Sequence, residues 1–353
     1  MIRSLFLLGY NDILEKYRTD NGLQDFDVGR VISERKERYI ARTAAGDFEA
    51  EISGNMRFKA KCRENFPAVG DWISLSTYDT GISIIHSILP RRSIISRQAV
   101  GEYGLSQIIA VNIDYALIMQ SADRNYSVNR LERYLAICNT SKVKPVIILT
   151  KADLADQNRI KELCGDIRKR IKTVEVIAIS NNTKEGYGLL SEIFEEGKTY
   201  CMLGSSGVGK STLVNNLIGK PIMKTNEISS STNKGKHTTS HRELFVMETG
   251  GILIDNPGMR EIGVVASVQG IESTFEEIDS ASRNCRFKDC THTVESGCAV
   301  LEAVAKGEIN KDAYENYLRI RRESAHFAAS DMERRKKDRA FGKMLKNYNK
   351  NRF

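Results

Sequence analysis

The stretch Gly204-Ser205-Ser206-Gly207-Val208-Gly209-Lys210-Ser211 decides the fold. It matches G-x-x-x-x-G-K-[ST] and lies between an apolar run, Lys198–Leu203, and a helical segment, Thr212–Leu217. Strand, loop and helix in that order are the context a phosphate-binding loop requires. Glycines let the main chain wrap closely, so that successive N–H groups point inward. Lys210 is placed to neutralise the β- and γ-phosphates of a nucleotide, and the Ser211 hydroxyl to hold Mg²⁺.

Outward from this loop, upstream, the apolar run Val143–Leu149 ends in Thr150-Lys151-Ala152-Asp153. The Asp153 carboxylate can accept two hydrogen bonds from guanine N1–H and its 2-amino group. Adenine would leave that carboxylate unpaired, an expensive fault in a buried site. The stem of Lys151 is expected over the base, and Thr150 stands where asparagine is more usual. Ala178-Ile179-Ser180 supplies a second base-contacting loop, with Ser180 as the contact. Downstream, Ile252-Leu253-Ile254-Asp255-Asn256-Pro257-Gly258 reads as a buried strand ending in D-x-P-G. Asp255 is expected to bind Mg²⁺ through water, and the Gly258 N–H to meet the γ-phosphate. Base loop, phosphate loop and Mg²⁺ loop thus occur in a rotated order. Permutation leaves such a site intact because domain termini lie at the surface.

Met259 follows the glycine where many GTPases carry a water-orienting glutamine, which predicts slow unaided turnover. Gly235-Lys236-His237-Thr238-Thr239-Ser240 lies where a Mg²⁺-binding switch belongs. Thr238 or Thr239 would complete the metal shell, and His237 is the nearest candidate to position water.

A second cluster, Cys285-x4-Cys290-x-His292-x5-Cys298, offers three thiolates and one imidazole, the ligand set of a closed structural zinc site. The remaining cysteines, Cys62, Cys138, Cys164 and Cys201, read as core. Seven cysteines in all show no disulfide framework, and the N-terminal Leu5-Phe6-Leu7-Leu8 run is too short for a signal core or a membrane span. A cytoplasmic, monomeric protein with no membrane association is expected.

With 353 residues the chain has room for two or three domains, and 41% hydrophobic against 28% charged residues fits a globular protein. A helical lead-in over 1–25 precedes five short alternating segments within 26–92, a pattern that suits an OB-fold barrel and equally an SH3-like one. Alternating apolar strands and amphipathic helices over 100–268 indicate a parallel α/β domain. Residues 269–353 read as a helical, zinc-binding domain with a basic tail. A net charge of +8 points to an acidic partner, nucleic acid first. Arg91, Arg92, Arg334, Arg335, Lys336 and Lys337 are expected to contact RNA phosphates.

These motifs, with Leu89-Pro90-Arg91-Arg92-Ser93 and Asp255-Asn256-Pro257-Gly258-Met259-Arg260-Glu261, resemble the circularly permuted GTPases of the RsgA (YjeQ) family over roughly 29–304. The resemblance implies an OB-fold, a permuted GTPase domain and a zinc-containing helical domain. It further implies a GTPase, stimulated by the small ribosomal subunit, that acts late in that subunit's maturation, with the histidine matching His237 proposed as catalytic. Asn256 and Lys236 replace the threonine and arginine usual in the family. An alternative of another class is an RNA-binding scaffold that holds GTP as a structural ligand.

Overall fold

The computed structural model describes residues 2–35, 38–60, 62–78, 81–98, 106–123, 125–221, 242–255 and 266–350. They form two compact units, Met1–Ile95 with Ile108–Glu261, and Ser96–Gln107 with Ile262–Phe353. The barrel expected over 26–92 and most of the α/β domain therefore share one unit, whereas 96–107 groups with the C-terminal segment.

The first unit begins with helices α1 (Ile2–Phe6) and α2 (Asp12–Asp20). Asn11 caps α2, its side chain accepting from the Leu14 N–H at 3.1 Å. These helices are integral to the unit: Leu5, Leu8, Tyr10 and Leu14 are buried with Val28, Trp72 and Leu89.

Strands β1 (Asp27–Arg35), β2 (Arg38–Thr43), β3 (Gly46–Ile52), β4 (Trp72–Thr77) and β5 (Ile82–Ile88) follow, with the short helix α3 (Gly54–Lys59) after β3. Their neighbours run β1-β2-β3-β5-β4, and β4 returns to β1, so the sheet closes. The β3–β5 pair is parallel and the rest are antiparallel. That closure is an OB-fold and excludes the SH3-like alternative. Alternating residues such as Val31, Tyr39, Ala41, Ala50, Ile73, Leu75 and Ile85 fill the interior.

Strands β6 (Ile94–Gln98) and β7 (Ser106–Val111) pair as a separate ribbon. The α/β part then runs β8 (Tyr115–Ser121), α4 (Val128–Ser141), β9 (Lys144–Thr150), α5 (Gln157–Arg170), β10 (Val176–Ala178), α6 (Tyr187–Glu192), β11 (Thr199–Gly204), α7 (Lys210–Ile218), β12 (Arg242–Val246) and β13 (Ile252–Asp255). Its strand order is β10-β9-β8-β11-β13-β12, parallel except for β12. Every residue of β11 and β13 is buried, as continuous apolar strands covered on both faces require. Glu132 of α4 is buried and takes Arg170 of α5 in a two-pronged ion pair at 2.6 and 2.9 Å.

Strand β12, not foreseen from the sequence, is antiparallel to both β13 and barrel strand β1, so one eleven-stranded sheet runs through the unit. The second unit adds α8 (Val268–Thr274), α9 (Glu276–Ser282), α10 (Ala299–Ala305) and the long α11 (Lys311–Lys350). Among the described residues no helix is long and apolar enough to cross a membrane.

Candidate nucleotide site and metal centre

Because β9, β10, β11 and β13 are parallel, their C-terminal ends share one edge of the sheet. From that edge hang Thr150–Asp153, Ser180, Gly204–Ser211 and Asp255, the loops expected to bind nucleotide. Ligands in α/β sheets bind at this carboxyl edge.

The phosphate loop takes its shape from its glycines. Gly204, Gly207 and Gly209 have φ of 159°, 78° and 94°. A Cβ at Gly204 would lie 2.6 Å from the Met119 carbonyl oxygen. Val208 is buried between them, Ser205 and Ser206 line the turn, and Lys210, Ser211 and Thr212 open α7. The Lys210 ammonium donates to the Gly204 and Ser205 carbonyls, both at 2.7 Å. Burial pushes its pKa down to about 8, against the attraction of Asp255. Asp255 is itself buried at the end of β13. Arg130 of α4 reaches the same loop, 3.4 Å from Ser205 Oγ, a neighbour that no sequence motif marks.

Thr150 ends β9 at the start of the base loop. It is fully buried, and its hydroxyl donates to the Val208 carbonyl at 2.7 Å, tying base loop to phosphate loop. Lys151 turns the chain with φ of 59°, and its ammonium pairs with Asp123 Oδ2 at 2.9 Å, which extends its stem across the loop. Burial alone would raise the Asp123 pKa, but the bonds from Lys151, the Asn125 N–H and Ser121 hold it down. Ala152 and Asp153 form one short helical turn. Hydrogen bonds from Ser180, then Asn182 at 3.0 Å, keep the Asp153 carboxyl ionised below its ordinary range. The Ser180 hydroxyl also accepts from the Asn182 and Thr183 N–H groups at 3.2 and 3.1 Å, which folds the second base loop around it.

His237, Thr238, Thr239, Gly258 and Met259 lie outside the described residues. Arg91, expected to contact RNA, is instead engaged within the barrel: it binds the buried Asp71 at 2.7 and 2.8 Å and the Glu64 and Phe66 carbonyls. Charge in a sequence does not distinguish a solvated arginine from a paired one. Arg92 pairs with Asp114 at 2.9 Å while staying half exposed. Cys138 and Cys201 are buried as expected and Cys164 partly so, but Cys62 is exposed.

In the second unit the ligand atoms of Cys285, Cys290, His292 and Cys298 all lie within 4.8 Å of one another. Cys285 and Cys298 Sγ are 3.9 Å apart, and each is 3.6 Å from His292 Nδ1. A tetrahedral ion with metal–sulfur and metal–nitrogen bonds of about 2.3 and 2.05 Å demands edges of about 3.8 and 3.6 Å. The edges among Cys285, His292 and Cys298 meet that demand, so the four residues together could hold a metal ion. His292 adopts φ of 62°, and Tyr314 Oη donates to its carbonyl at 2.7 Å. Glu295, which the sequence did not single out, accepts from the N–H groups of Thr291, Thr293 and Val294 and so shapes the loop between the ligands.

Residues 88–265 match the family model for the RsgA GTPase. The small ribosomal subunit biogenesis GTPase RsgA 1 of Bacteroides thetaiotaomicron is 38% identical over 98% of this chain and 97% of its own. The corresponding protein of Methanosarcina acetivorans is 41% identical over 88% of this chain and 83% of its own. Among solved structures, YjeQ from Thermotoga maritima superposes with a TM-score of 0.64 at 24% identity, covering 85% of this chain and 98% of that one. YloQ, described as a circularly permuted GTPase, superposes at 0.62 and 22% identity over 85% of this chain and 95% of that one. The chain belongs to the RsgA GTPase family, and it is a GTPase of permuted topology.

Proposed function

We propose that this GTPase assists late maturation of the small ribosomal subunit, binding that subunit and its RNA and hydrolysing GTP faster when bound. The observation that carries the reading is the convergence of Asp153, Lys210 and Asp255 on one sheet edge, in a chain whose relatives are named for small-subunit biogenesis. Asp153 with Ser180 selects guanine, and the main chain of Gly204–Ser211 holds the phosphates with Lys210 as counter-charge. Ser211 and Asp255 are hard oxygen donors suited to Mg²⁺, which supplies charge neutralisation at the phosphates when bound. The thiolate-rich second-unit cluster suits zinc, a soft-ligand structural ion with no open position. The barrel, Arg92 and the basic end of α11 are the RNA-facing elements.

Hydrolysis is slow without the subunit because Met259 cannot orient water. On the subunit, His237 would position the water and Thr238 or Thr239 would help Ser211 hold Mg²⁺, lowering the barrier by placement and electrostatics. The test is phosphate release with and without purified small subunits for wild type and His237→Ala. We expect stimulation of wild type, and its loss in His237→Ala with GTP affinity retained. No stimulation of wild type would overturn the subunit role, and equal stimulation of both would remove His237 from the mechanism.

A further inference from the structure

Between the second base loop and the phosphate loop lies a closed ring of hydrogen bonds that the expected motifs do not include. Asn181 Nδ2 donates to the Gly209 carbonyl at 3.0 Å. Its Oδ1 accepts from Tyr187 Oη at 2.8 Å. Asn216 Nδ2, from α7, donates to Tyr187 Oη at 2.8 Å and to the Asn181 carbonyl at 3.0 Å. The ring fixes the orientation of the Asn181 amide. With Asn216 donating to Tyr187 Oη, the one hydroxyl proton goes to Asn181 Oδ1, which leaves the amide nitrogen to face Gly209.

The contact is tight on both sides. Gly209, at φ of 94°, ends the glycine-rich turn immediately before Lys210, and a Cβ there would lie 2.7 Å from Asn181 Nδ2. Gly186, which turns the chain toward Tyr187, has φ of 79°, and a Cβ there would lie 2.1 Å from the Ala178 carbonyl oxygen. Asn181 sits between Ser180 and Asn182, the two residues that hold Asp153 ionised. Its side chain therefore joins the guanine-reading loop to the last glycine of the phosphate loop. Thr150 makes a parallel tie to Val208, one residue earlier.

We infer that Asn181 is a positioning residue for nucleotide binding. Held by Tyr187 and Asn216, it fixes the Gly209 peptide so that the phosphate loop is preformed at the right distance from the guanine site. This rests on the reading that Asp153 and Ser180 take guanine and Gly204–Ser211 the phosphates. The tie serves GDP and GTP alike, so its loss removes uniform binding, which raises KM and leaves kcat unchanged.

Two substitutions separate the hydrogen bond from packing. Asn181→Ala deletes the amide, and Asn181→Asp keeps its shape while setting a carboxylate oxygen against the Gly209 carbonyl. If packing mattered, the isosteric aspartate would be the milder change. The tie predicts the reverse order. Titration with fluorescent GDP and Mg²⁺ should show roughly a five- to tenfold weakening for Asn181→Ala, the worth of one well-placed hydrogen bond, and at least as much for Asn181→Asp. Steady-state turnover should show the same factor in the KM for GTP at unchanged kcat, with the thermal midpoint of the nucleotide-free protein retained. Tyr187→Phe, which removes a single oxygen, should weaken GDP in the same direction and serves if either Asn181 variant fails to fold. Wild-type affinity in these variants, an Asn181→Asp effect milder than Asn181→Ala, or a fall in kcat at constant KM would each overturn the inference. Failure of the underlying reading looks different: wild type itself would bind ADP as tightly as GDP.

Discussion

Replacing Arg30 with methionine should destabilise the first unit by about 3 kcal/mol. Arg30 is a charged side chain 1% exposed, at the meeting point of the N-terminal helices, the barrel and β11. Its guanidinium donates to the Leu8 carbonyl at 2.5 Å, the Gly70 carbonyl at 3.2 Å and Thr199 Oγ1 at 2.9 Å, and lies 5.6 Å over the Trp72 ring. Burial pushes its pKa down to about 10, with Asp114 and Asp71 opposing and Arg92 adding to the shift. Methionine fills much of the volume but donates nothing. The Gly70 carbonyl keeps a bond from Asn112 at 3.0 Å, whereas the Leu8 carbonyl and the Thr199 hydroxyl lose their charged donor. Two buried acceptors at about 1–3 kcal/mol each give roughly 2–6 kcal/mol, less what is recovered by no longer desolvating a cation. The assay is urea unfolding followed by intrinsic fluorescence, since the chain's single tryptophan, Trp72, stands beside the mutated group. With an m-value near 3 kcal/mol/M, the midpoint should fall by about 1 M. A midpoint within roughly 0.3 M of wild type at unchanged m would refute the reasoning, because the guanidinium would then be dispensable to the acceptors it serves.

Two further outcomes are expected. Metal analysis should find about one zinc per chain, and Cys290→Ser should lose it and lower the unfolding midpoint of the second unit, since binding free energy at such a site is folding free energy; metal-free protein prepared without chelators would contradict this. For GDP, affinity should be flat below pH 8 and fall as pH rises from 8 to 9. The Lys210 pKa of about 8 means the free protein carries the cation below that pH and must take up a proton to bind above it. Lys210→Arg, whose charge persists across this range, should bind without that slope.

What the sequence made legible was local. The phosphate loop is eight consecutive residues, and its glycines, lysine and serine carry their chemistry wherever the chain places them. The barrel strands announced themselves by period-two alternation, and the metal ligands by residue type and spacing. What stayed hidden depends on distant partners. Arg30 meets Thr199 across 169 residues, and nothing near either one marks the bond. Arg91 read as a surface cation because its partner Asp71 is 20 residues away and buried. Strand β12 has no clean alternation, only Leu244 of its five residues being buried, and is a strand because β1 and β13 flank it. Thr150 stands where asparagine is more usual, and nothing near it in the sequence marks that its buried hydroxyl reaches the Val208 carbonyl directly.

The position of β12 also decides what the rotated motif order can transmit. Glu243 is in register with Ser33 of the barrel on one side and with Asp255 on the other. At about 4.8 Å per strand, roughly 10 Å of continuous ladder separates a barrel strand from the carboxylate at the nucleotide edge. A slip of one residue in either pairing would turn every side chain of β12 to the opposite face, exposing Leu244 and turning Glu243 and Phe245 into its place. The barrel therefore cannot shift along the sheet without breaking the ladder that carries Asp255, and Arg30 fixes the same two parts again at Thr199. In a chain of conventional order, the strand bearing this aspartate would be followed by the rest of the nucleotide domain. Here the covalent path from Asp255 runs on into the second unit, while the barrel is held to the sheet.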